Sequence, residues 1–570
     1  MVLKAVEKPE FTCELIQEVK TQNFSNTTLE IAKFISEYYI CSLGEALGLF
    51  TPLHVRKKEA SKNVSLAVEL SAKQTKALEF INTHEKTLLF GDTGSGKTEV
   101  YIKAMQECLN GGKSALLLMP EIGLTPQMKK RLKSHFGSLV AIWHSKITKK
   151  AKESVIEEIE EGKVRIIAGT RSALFLPLSD VGLIVVDEEH DDSYKSNSRP
   201  RYNAKDLAHL VAKKYSAKLI LGSATPSASS FKNTPYFRLD ETFHKSSKKI
   251  TYEDAHNELS EALFSKIYTY LEQKKQIVVF LPTRANFKYI ACRDCGQNVL
   301  CPFCSVGMSL HSAKNALVCH YCNYTQRIPQ VCPECGCEDI VAKRIGTAEV
   351  VLRLKEAFPN AVIEKFDRDE ITTANKLKDK LKRFNDNSID ILVGTQMLAK
   401  GHDYHNVGLS IVMGIDTILN IPDFRSRERA LSLIIQIAGR SGRSGKGEVY
   451  IQSKNSELWS KYINNYEIFL REELAFREEL YPPFKKLVKV LVAHKKDERA
   501  SAIMDEIKKL TCKFPTLEVV GYGKADVEKI AGKYRYNMLL RSNDIKALLQ
   551  FAHSAKKFPV EIDVDPLSFS

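Results

Sequence analysis

TLLFGDTGSGKTEVY, residues 87–101, joins a short apolar run to a glycine-broken turn and then to a segment of helical character. The turn satisfies G-x-x-x-x-G-K-[ST] from Gly91 to Thr98. Glycines at these places let backbone N–H groups curl around phosphate oxygens, and the following helix adds the partial positive charge of its N-terminus. A strand before and a helix after separate this motif from a chance glycine-rich turn. The stretch predicts a loop of Gly91, Asp92, Thr93, Gly94, Ser95, Gly96, Lys97 and Thr98 around the phosphates of ATP. Lys97 is expected to reach the β- and γ-phosphates, and Thr98 to ligate Mg2+.

Such a loop belongs to a parallel α/β sheet, and the flanking chain has that rhythm. From about 66 to 240, apolar runs alternate with amphipathic stretches: TLLF, SALLLMP, VRIIAGT, LIVVDEEH and KLILGSAT. The rhythm resumes after 275 with QIVVFLPT, DILVGT, LSIVMGID and GEVYIQS. Alternation of this kind predicts strands joined by crossover helices. From about 470 the runs LVKVLVAH, LEVVGYG, YRYNMLLR and VEIDVDP surround a helical stretch, which predicts a small α+β unit. In residues 1–65, Ile31, Phe34, Ile35 and Tyr38 fall at helical spacing. The expected organisation is a front region 1–65, an α/β lobe 66–240, a second lobe 241–470 interrupted at 288–345, and a C-terminal unit 471–570.

A chain of 570 residues is too long for a single core. Lys and Arg outnumber Asp and Glu by 84 to 69, a net charge of +15 that favours a polyanionic partner. No apolar run approaches a membrane span, and the charged start MVLKAVEKPEFTCELIQEVK has no signal-peptide character. The reading is a cytoplasmic protein with no membrane partner. Thiols there stay reduced, so paired cysteines point to metal rather than to disulfides.

Hydrolysis requires carboxylates at the end of a neighbouring strand. LIVVDEEH supplies Asp187 to hold Mg2+, largely through water, Glu188 to polarise the attacking water, and His190 to link the site to another segment. Positive charge is also needed on the transition state. QIAGRSGRSGKG, in the second lobe, supplies Gln436, Arg440 and Arg443, with the arginines on one face if the segment is helical. That placement predicts ATP between two lobes. Gln74, in LSAKQTKALEFI, is placed to read the adenine.

Residues 292–335 hold eight of the 13 cysteines as C-x-x-C pairs at 292/295, 301/304, 319/322 and 332/335. Four thiolates saturate one structural zinc ion, so eight imply two Zn2+ per chain. Three pairings are possible. SVGMSLHSAKNALV reads as two short strands with a turn at Ser312 to Asn315, and such a hairpin brings 301/304 beside 319/322. The nested scheme follows: Cys292, Cys295, Cys332 and Cys335 around one ion, Cys301, Cys304, Cys319 and Cys322 around the other. Cys337, His311 and His320 are left out. Closed all-cysteine sites staple a fold and leave no position open for catalysis. The remaining cysteines, at 13, 41, 108, 337 and 512, read as packing or surface residues.

Taken together, GDTGSGKTEVY, PEIGLTPQ, GTRSALFLP, DEEHDDSYK, GSATP, GTQMLAKGHD, DFRSRERA and QIAGRSGRSGKG resemble the ordered motifs of superfamily 2 helicases. They resemble most specifically the PriA family of bacterial replication-restart helicases. PEIGLTPQ and GTRSALF are narrow signatures of that family, the eight-cysteine block is a second match, and GKYRYNMLLR with DVDP a third. The resemblance spans about 66–570 and implies two RecA-like motor lobes that translocate 3′ to 5′ on single-stranded DNA. It further implies action at stalled forks and the start of primosome assembly. The implied partners are forked and single-stranded DNA, single-stranded-DNA-binding protein, other primosome proteins, and the replicative helicase or its loader. A monomer associated with the nucleoid is expected. Backbone tracking asks for basic groups on phosphate and aromatic stacking. Thr170, Arg171 and Lys400 at strand ends are candidates, as are Lys529, Lys533 and Arg535, interleaved with Tyr534 and Tyr536.

The chain departs from the family pattern in three places. The loop after the acidic motif reads YKSNSRPRYNAKD, with Tyr194 and Tyr202 but no tryptophan, and Pro200 where a large aromatic is expected. FLPTRANF keeps only Arg284 of an arginine pair. The front resembles only the last part of a 3′-end-binding domain, and HVRKKEASKN leads almost directly into the motor, so a winged helix is expected to be absent. The rival reading is a fork-DNA-binding assembly platform in which ATP acts mainly as a conformational switch.

Overall fold

In the computed structural model the phosphate-loop strand Lys86–Gly91 lies one place from the edge of a seven-stranded sheet. The described residues run from 24 to 569, without 53–67, 121–125, 242–247, 256–258, 283–287, 368–369, 400–403, 405, 422 and 443–446. Within the cysteine block, 293–294, 296–298, 305, 307, 312–315, 320–321, 323, 339 and 344–345 are also outside them.

Across the first sheet the strands run Val140–Trp143, Ile166–Gly169, Ser114–Leu118, Val181–Asp187, Lys218–Ser223, Lys86–Gly91 and Tyr236–Leu239, all parallel. Helices cover both faces, so the central strands are apolar without alternation, and Ser114–Leu118 is buried at every position. Two strands escaped the sequence reading: VAIW and YFRL have four residues each, too few to stand out as apolar runs.

The second sheet has six parallel strands in the order Ile363–Phe366, Ile391–Gly394, Gln276–Phe280, Val407–Val412, Gly447–Gln452 and Lys248–Glu253. Lys248–Glu253, KKITYE, was not anticipated, because an edge strand that is nowhere fully buried has no apolar continuity. Since it precedes Gln276–Phe280, the cysteine block follows the second strand of this sheet in chain order, and not the first as the sequence implied.

Parallel pairing aligns strand ends, and ligands of such sheets gather at the carboxyl edge. Register puts Asp187 beside Gly222 and Phe90 beside Ser223, so the loops after Gly91, Asp187 and Ser223 leave the sheet together.

The cysteine block forms a five-stranded antiparallel sheet, with Thr325–Arg327, Ala316–Val318, Ser309–His311, Lys288–Cys292 and Ile340–Lys343 in that order. The C-terminal unit is a four-stranded antiparallel sheet of Glu518–Ile530, Lys533–Ser542, Lys486–His494 and Val560–Val564 with helices Asp497–Thr511 and Ile545–Ala555, one helix more than expected.

In front of the motor, helix Asn26–Tyr38 buries Ile31, Ala32 and Ile35, as its spacing predicts, while Phe34 stays exposed. The next helix, Leu43–Leu47, is closed by a reciprocal cap between Ser42 and Glu45. Phe50 packs edgewise on Phe175, and the Tyr38 hydroxyl donates to Asp565 at 2.6 Å. The described front therefore rests on both the first lobe and the C-terminal unit.

Gly222 is required by a close approach. A Cβ built there would lie 1.6 Å from the Tyr101 hydroxyl, which crosses the sheet to reach Asp187. Gly222→Ala is expected to destabilise the protein by about 1–3 kcal/mol, the usual cost of overpacking. Adding Tyr101→Phe should restore part of that loss, with thermal unfolding as the measurement.

Candidate nucleotide and zinc sites

Gly94 and Gly96 take φ of +84° and +79°, the left-handed conformations that let the loop turn into helix Lys97–Asn110. A Cβ on Gly91 would lie 2.7 Å from Ser95 Oγ and 2.8 Å from Lys97 Cγ, so the loop closes tightly on its own lysine. Lys97 Nζ donates to Gly91 O at 2.8 Å and Asp92 O at 3.3 Å. Asp92 turns its carboxylate to Arg238, 2.6 Å away on the edge strand. Thr98 follows Lys97 in the first turn of the helix.

Gln74 is buried and braces the loop. Its Oε1 accepts from Ser71 N at 2.9 Å, and its Nε2 donates to Ser95 O at 3.2 Å and Gly96 O at 3.4 Å. From the second lobe, Gly439 faces the same loop: a Cβ there would lie 2.9 Å from Thr93 Oγ1.

Asp187 ends its strand with Oδ1 accepting from the Tyr101 hydroxyl at 3.0 Å, and its carbonyl accepts from Tyr194 at 2.6 Å. Burial, reinforced by Glu188, pushes the Asp187 carboxyl up to about 6 against the pull of Lys97. Glu188 has a φ of +47°, and its Oε2 lies 3.6 Å from His190 Nδ1. Glu189 faces away from the cleft. It accepts from Ser227 N at 2.6 Å, Ser227 Oγ at 3.0 Å and Ser230 Oγ at 2.6 Å, and pairs with Lys205 at 3.1 Å. Burial opposes its charge, yet Lys205 and these donors hold its carboxyl below the usual range. One carboxylate of the acidic motif thus fixes the GSATPS turn, a task the sequence did not signal.

His190 connects the lobes. Gln436 Nε2 donates to His190 Nε2 at 2.6 Å, which leaves Nδ1–H to donate to Ser223 Oγ at 2.8 Å. The same amide lies 3.2 Å from Ser432 Oγ, and Ser432 meets Thr225 Oγ1 at 2.6 Å.

Helix Ser426–Ala438 stops before Arg440, and Gly442 takes a φ of +74°, so Arg440 lies beyond the helix rather than on its face. Arg440 is buried and donates from Nη2 to Ala399 O, at the end of the GTQMLA segment. Arg443 and Lys400 lie outside the described residues, as does Arg284.

DFRSRERA supplies a further link between the lobes. Asp192 receives Arg425 at 2.7 Å and Arg429 at 3.1 Å. Arginines four apart near the start of a helix were its only sequence signal. Arg171 donates to Ser193 O at 3.0 Å and Lys195 O at 2.9 Å, tying GTRSALF to the loop after the acidic motif. Thr170 Oγ1 sits 3.5 Å from Ser172 Oγ.

The eight thiols fall into two groups, Cys292, Cys295, Cys332 and Cys335, and Cys301, Cys304, Cys319 and Cys322, with the sulfurs of each group within 4.8 Å of one another. Cross-pair separations are 3.6 Å for 292/335, 3.7 Å for 295/332 and 3.7 Å for 301/322. A tetrahedron with bonds of about 2.3 Å has edges of roughly 3.8 Å, whereas a disulfide would need about 2 Å. The donor sets therefore fit zinc. This nested grouping follows from the pairing of Ser309–His311 with Ala316–Val318. The second group is set in an apolar cluster of Val299, Met308 and Leu317, so the insert does have a small core beside one of its staples.

The C-terminal hairpin meets that second group. Its turn residues Ala531 and Gly532 are both left-handed, with φ of +47° and +76°. Ala531 N donates to Cys304 Sγ at 3.2 Å, Gly532 N to Phe303 O at 2.8 Å, and Ile530 packs on the apolar cluster. Beside this contact, Lys529 Nζ lies 4.9 Å over the Tyr534 ring, Arg535 Nη1 donates to Val527 O at 3.4 Å, and Lys533 is exposed.

Comparison with known proteins matches residues 71–234 to a DEAD/DEAH box helicase family and 339–445 to a helicase conserved C-terminal domain. Residues 301–327 match the PriA DNA helicase Cys-rich region domain, and 477–567 the primosomal protein N C-terminal domain. The replication restart protein PriA of Helicobacter pylori (strain ATCC 700392 / 26695) is 42% identical over 582 residues, covering 100% of this chain and 93% of that protein. The chain belongs to the PriA family of replication restart proteins. It is an ATP-dependent DNA helicase acting in replication restart, and it uses nucleotide and zinc. The PriA of Bacillus subtilis (strain 168) is 36% identical over 492 residues, covering 82% of this chain and 61% of that protein. Among solved structures, RecG bound to a three-way DNA junction aligns with 73% of this chain and 48% of its own, at 16% identity and a TM-score of 0.43. Among the described residues, no helix is long and apolar enough to cross a membrane.

Two outcomes follow from this PriA-family geometry. The raised Asp187 carboxyl contributes stability only while it can keep a proton: the contribution is complete below the ordinary value of 3.8 and is lost as pH rises through about 6. Asp187→Asn should therefore raise the melting temperature of the nucleotide-free protein, by a margin that grows up to about pH 6 and is level above it. For the thiolate groups, Cys319→Ser should speed hydrogen exchange at the Ala531 and Gly532 amides, while Cys292→Ser should leave those two amides protected.

Proposed function

We propose that the chain is the motor of replication restart, moving 3′ to 5′ on single-stranded DNA and separating strands at stalled or abandoned forks before primosome assembly begins. In this reading ATP binds between the lobes. The loop from Gly91 to Thr98 cradles its phosphates, Lys97 contacts the β- and γ-phosphates, and Thr98 and Asp187 hold Mg2+. Glu188 orients the attacking water, and Arg440 and Arg443 place positive charge on the transition state. Gln74 lies at the adenine end. Two zinc ions per chain staple the insert. Thr170, Arg171, Lys400, Lys529, Lys533 and Arg535 contact the DNA backbone. We assign 66–240 and 241–470 to the lobes, 288–345 to the insert, 471–570 to the C-terminal unit and 1–65 to a front region related to a 3′-end-binding domain. Partners are single-stranded-DNA-binding protein, other primosome proteins and the replicative helicase or its loader, in the cytoplasm and on the nucleoid.

The observation that carries this reading is the hydrogen-bond chain Ser223–His190–Gln436, which crosses from one lobe to the other with the Glu188 carboxylate 3.6 Å from His190 Nδ1. A site wired across the cleft can register the γ-phosphate as a change in lobe angle. The rival, an assembly platform with ATP as a switch only, is not favoured, because both halves of a helicase motor are present.

Lys97→Ala should abolish ATP turnover stimulated by single-stranded DNA while leaving the zinc content unchanged. Normal turnover in that variant would overturn the motor assignment. Elemental analysis should give two zinc ions per parent chain and fewer in Cys301→Ser or Cys319→Ser. Those two variants should keep most DNA-stimulated ATPase and lose strand separation on forked substrates. Collapse of both activities would mean that the insert supports the lobe itself.

A further inference from the structure

The loop that follows the acidic motif is held by a residue that the hydrolysis site does not use. Lys195 is 4% exposed, and its ammonium donates to Val564 O at 2.6 Å and pairs with Asp563 at 2.8 Å, both in the C-terminal strand Val560–Val564. The Tyr39 ring of the front helix region lies 5.6 Å beneath it. A buried ammonium is tolerated only when carboxylate, carbonyl and ring replace its water, so this contact fixes the loop strongly. Arg201, near the far end of the loop, makes a second, exposed pair with Glu561 of the same strand at 2.5 Å. Between Lys195 and the acidic motif lies Asp192, which the second lobe grips through Arg425 and Arg429.

We infer that Lys195 is a positioning residue for ATP hydrolysis: by pinning the loop to the C-terminal strand, it holds Asp192 where Arg425 and Arg429 of the second lobe can meet it. Two residues, Ser193 and Tyr194, separate Asp192 from Lys195, and the carbonyls of Ser193 and Lys195 are already held by Arg171. Releasing the ammonium lets this short segment shift. The second lobe then loses its registry with Glu188 and His190, although the phosphate loop is untouched. Misplacement of reacting groups by about 1 Å can cost two orders of magnitude in rate, so the effect belongs in kcat. The inference rests on the assignment of Asp187, Glu188 and His190 as the hydrolysis site.

The test measures steady-state ATPase of the full chain, with and without single-stranded DNA, in Lys195→Met, Asp563→Asn, Asp192→Asn, Glu188→Gln and the Lys195→Met/Asp192→Asn double variant. Lys195→Met should lower kcat at saturating DNA at least about tenfold, with KM for ATP within about twofold of the parent. The double variant should be no slower than the slower single, because both substitutions break the same link. Unchanged kcat in a Lys195→Met protein of parental melting temperature overturns the inference. So do losses that multiply in the double variant, which would assign Lys195 to general stability. If Lys195→Met does not fold, Asp563→Asn is read by the same criteria, with Asp563→Asn/Asp192→Asn as its double variant. Turnover surviving in Glu188→Gln would overturn the site assignment itself, a result distinct from failure of the Lys195 variants alone.

Discussion

The hydrogen bond from Gln436 to His190 sets the relation between the halves of this molecule. It joins a helix of the second lobe to the turn that begins at Glu188, directly after Asp187, and it is flanked by the Thr225–Ser432 contact and by the grip of Arg425 and Arg429 on Asp192. These contacts are polar. Hydrogen bonds exchanged with water carry little net free energy, so these contacts break at less cost than the apolar packing, such as Tyr466 against Phe90, that also joins the lobes. The cost is geometric: each donor works only at one lobe angle, which makes that angle sensitive to what occupies the cleft.

The same economy of direction explains the burial around Asp187. A carboxyl withdrawn from water and set beside Glu188 is poorly stabilised by the protein alone. Its strand is otherwise apolar, and Gly222 is stripped of a side chain so that Tyr101 can reach across to orient the acid. Stability has been given up at the point where charge is to be handled.

Much of this was legible in the sequence because it follows from local chemistry. Glycines between an apolar strand and a lysine specify the phosphate loop, and C-x-x-C spacing with a polar turn specifies the two thiolate groups. The strands that went unread are short or lie at a sheet edge, as with Val140–Trp143 and Lys248–Glu253, where burial no longer imposes a continuous apolar pattern. Arg440 falls beyond the end of helix Ser426–Ala438, where glycines at 439 and 442 break the helical pattern. Glu189, Asp192 and Lys195 were invisible for another reason: their side-chain partners lie 16 or more residues away, and neither periodicity nor spacing reports a long-range pair.

The contact of Ala531 with Cys304 has a mechanical meaning. The C-terminal unit grips the first lobe at Lys195 and the insert of the second lobe at the hairpin turn. First lobe, second lobe, insert and C-terminal unit thus form a closed linkage, in which each body is attached to the next and the last returns to the first. In such a linkage no joint rotates alone. A change of angle at the nucleotide cleft must be matched by sliding at the hairpin, bending of the inserted sheet, slack at the lysine, or slip where the C-terminal unit meets the second lobe itself, as it does through Arg429 at Leu567 O and Phe424 on Phe569.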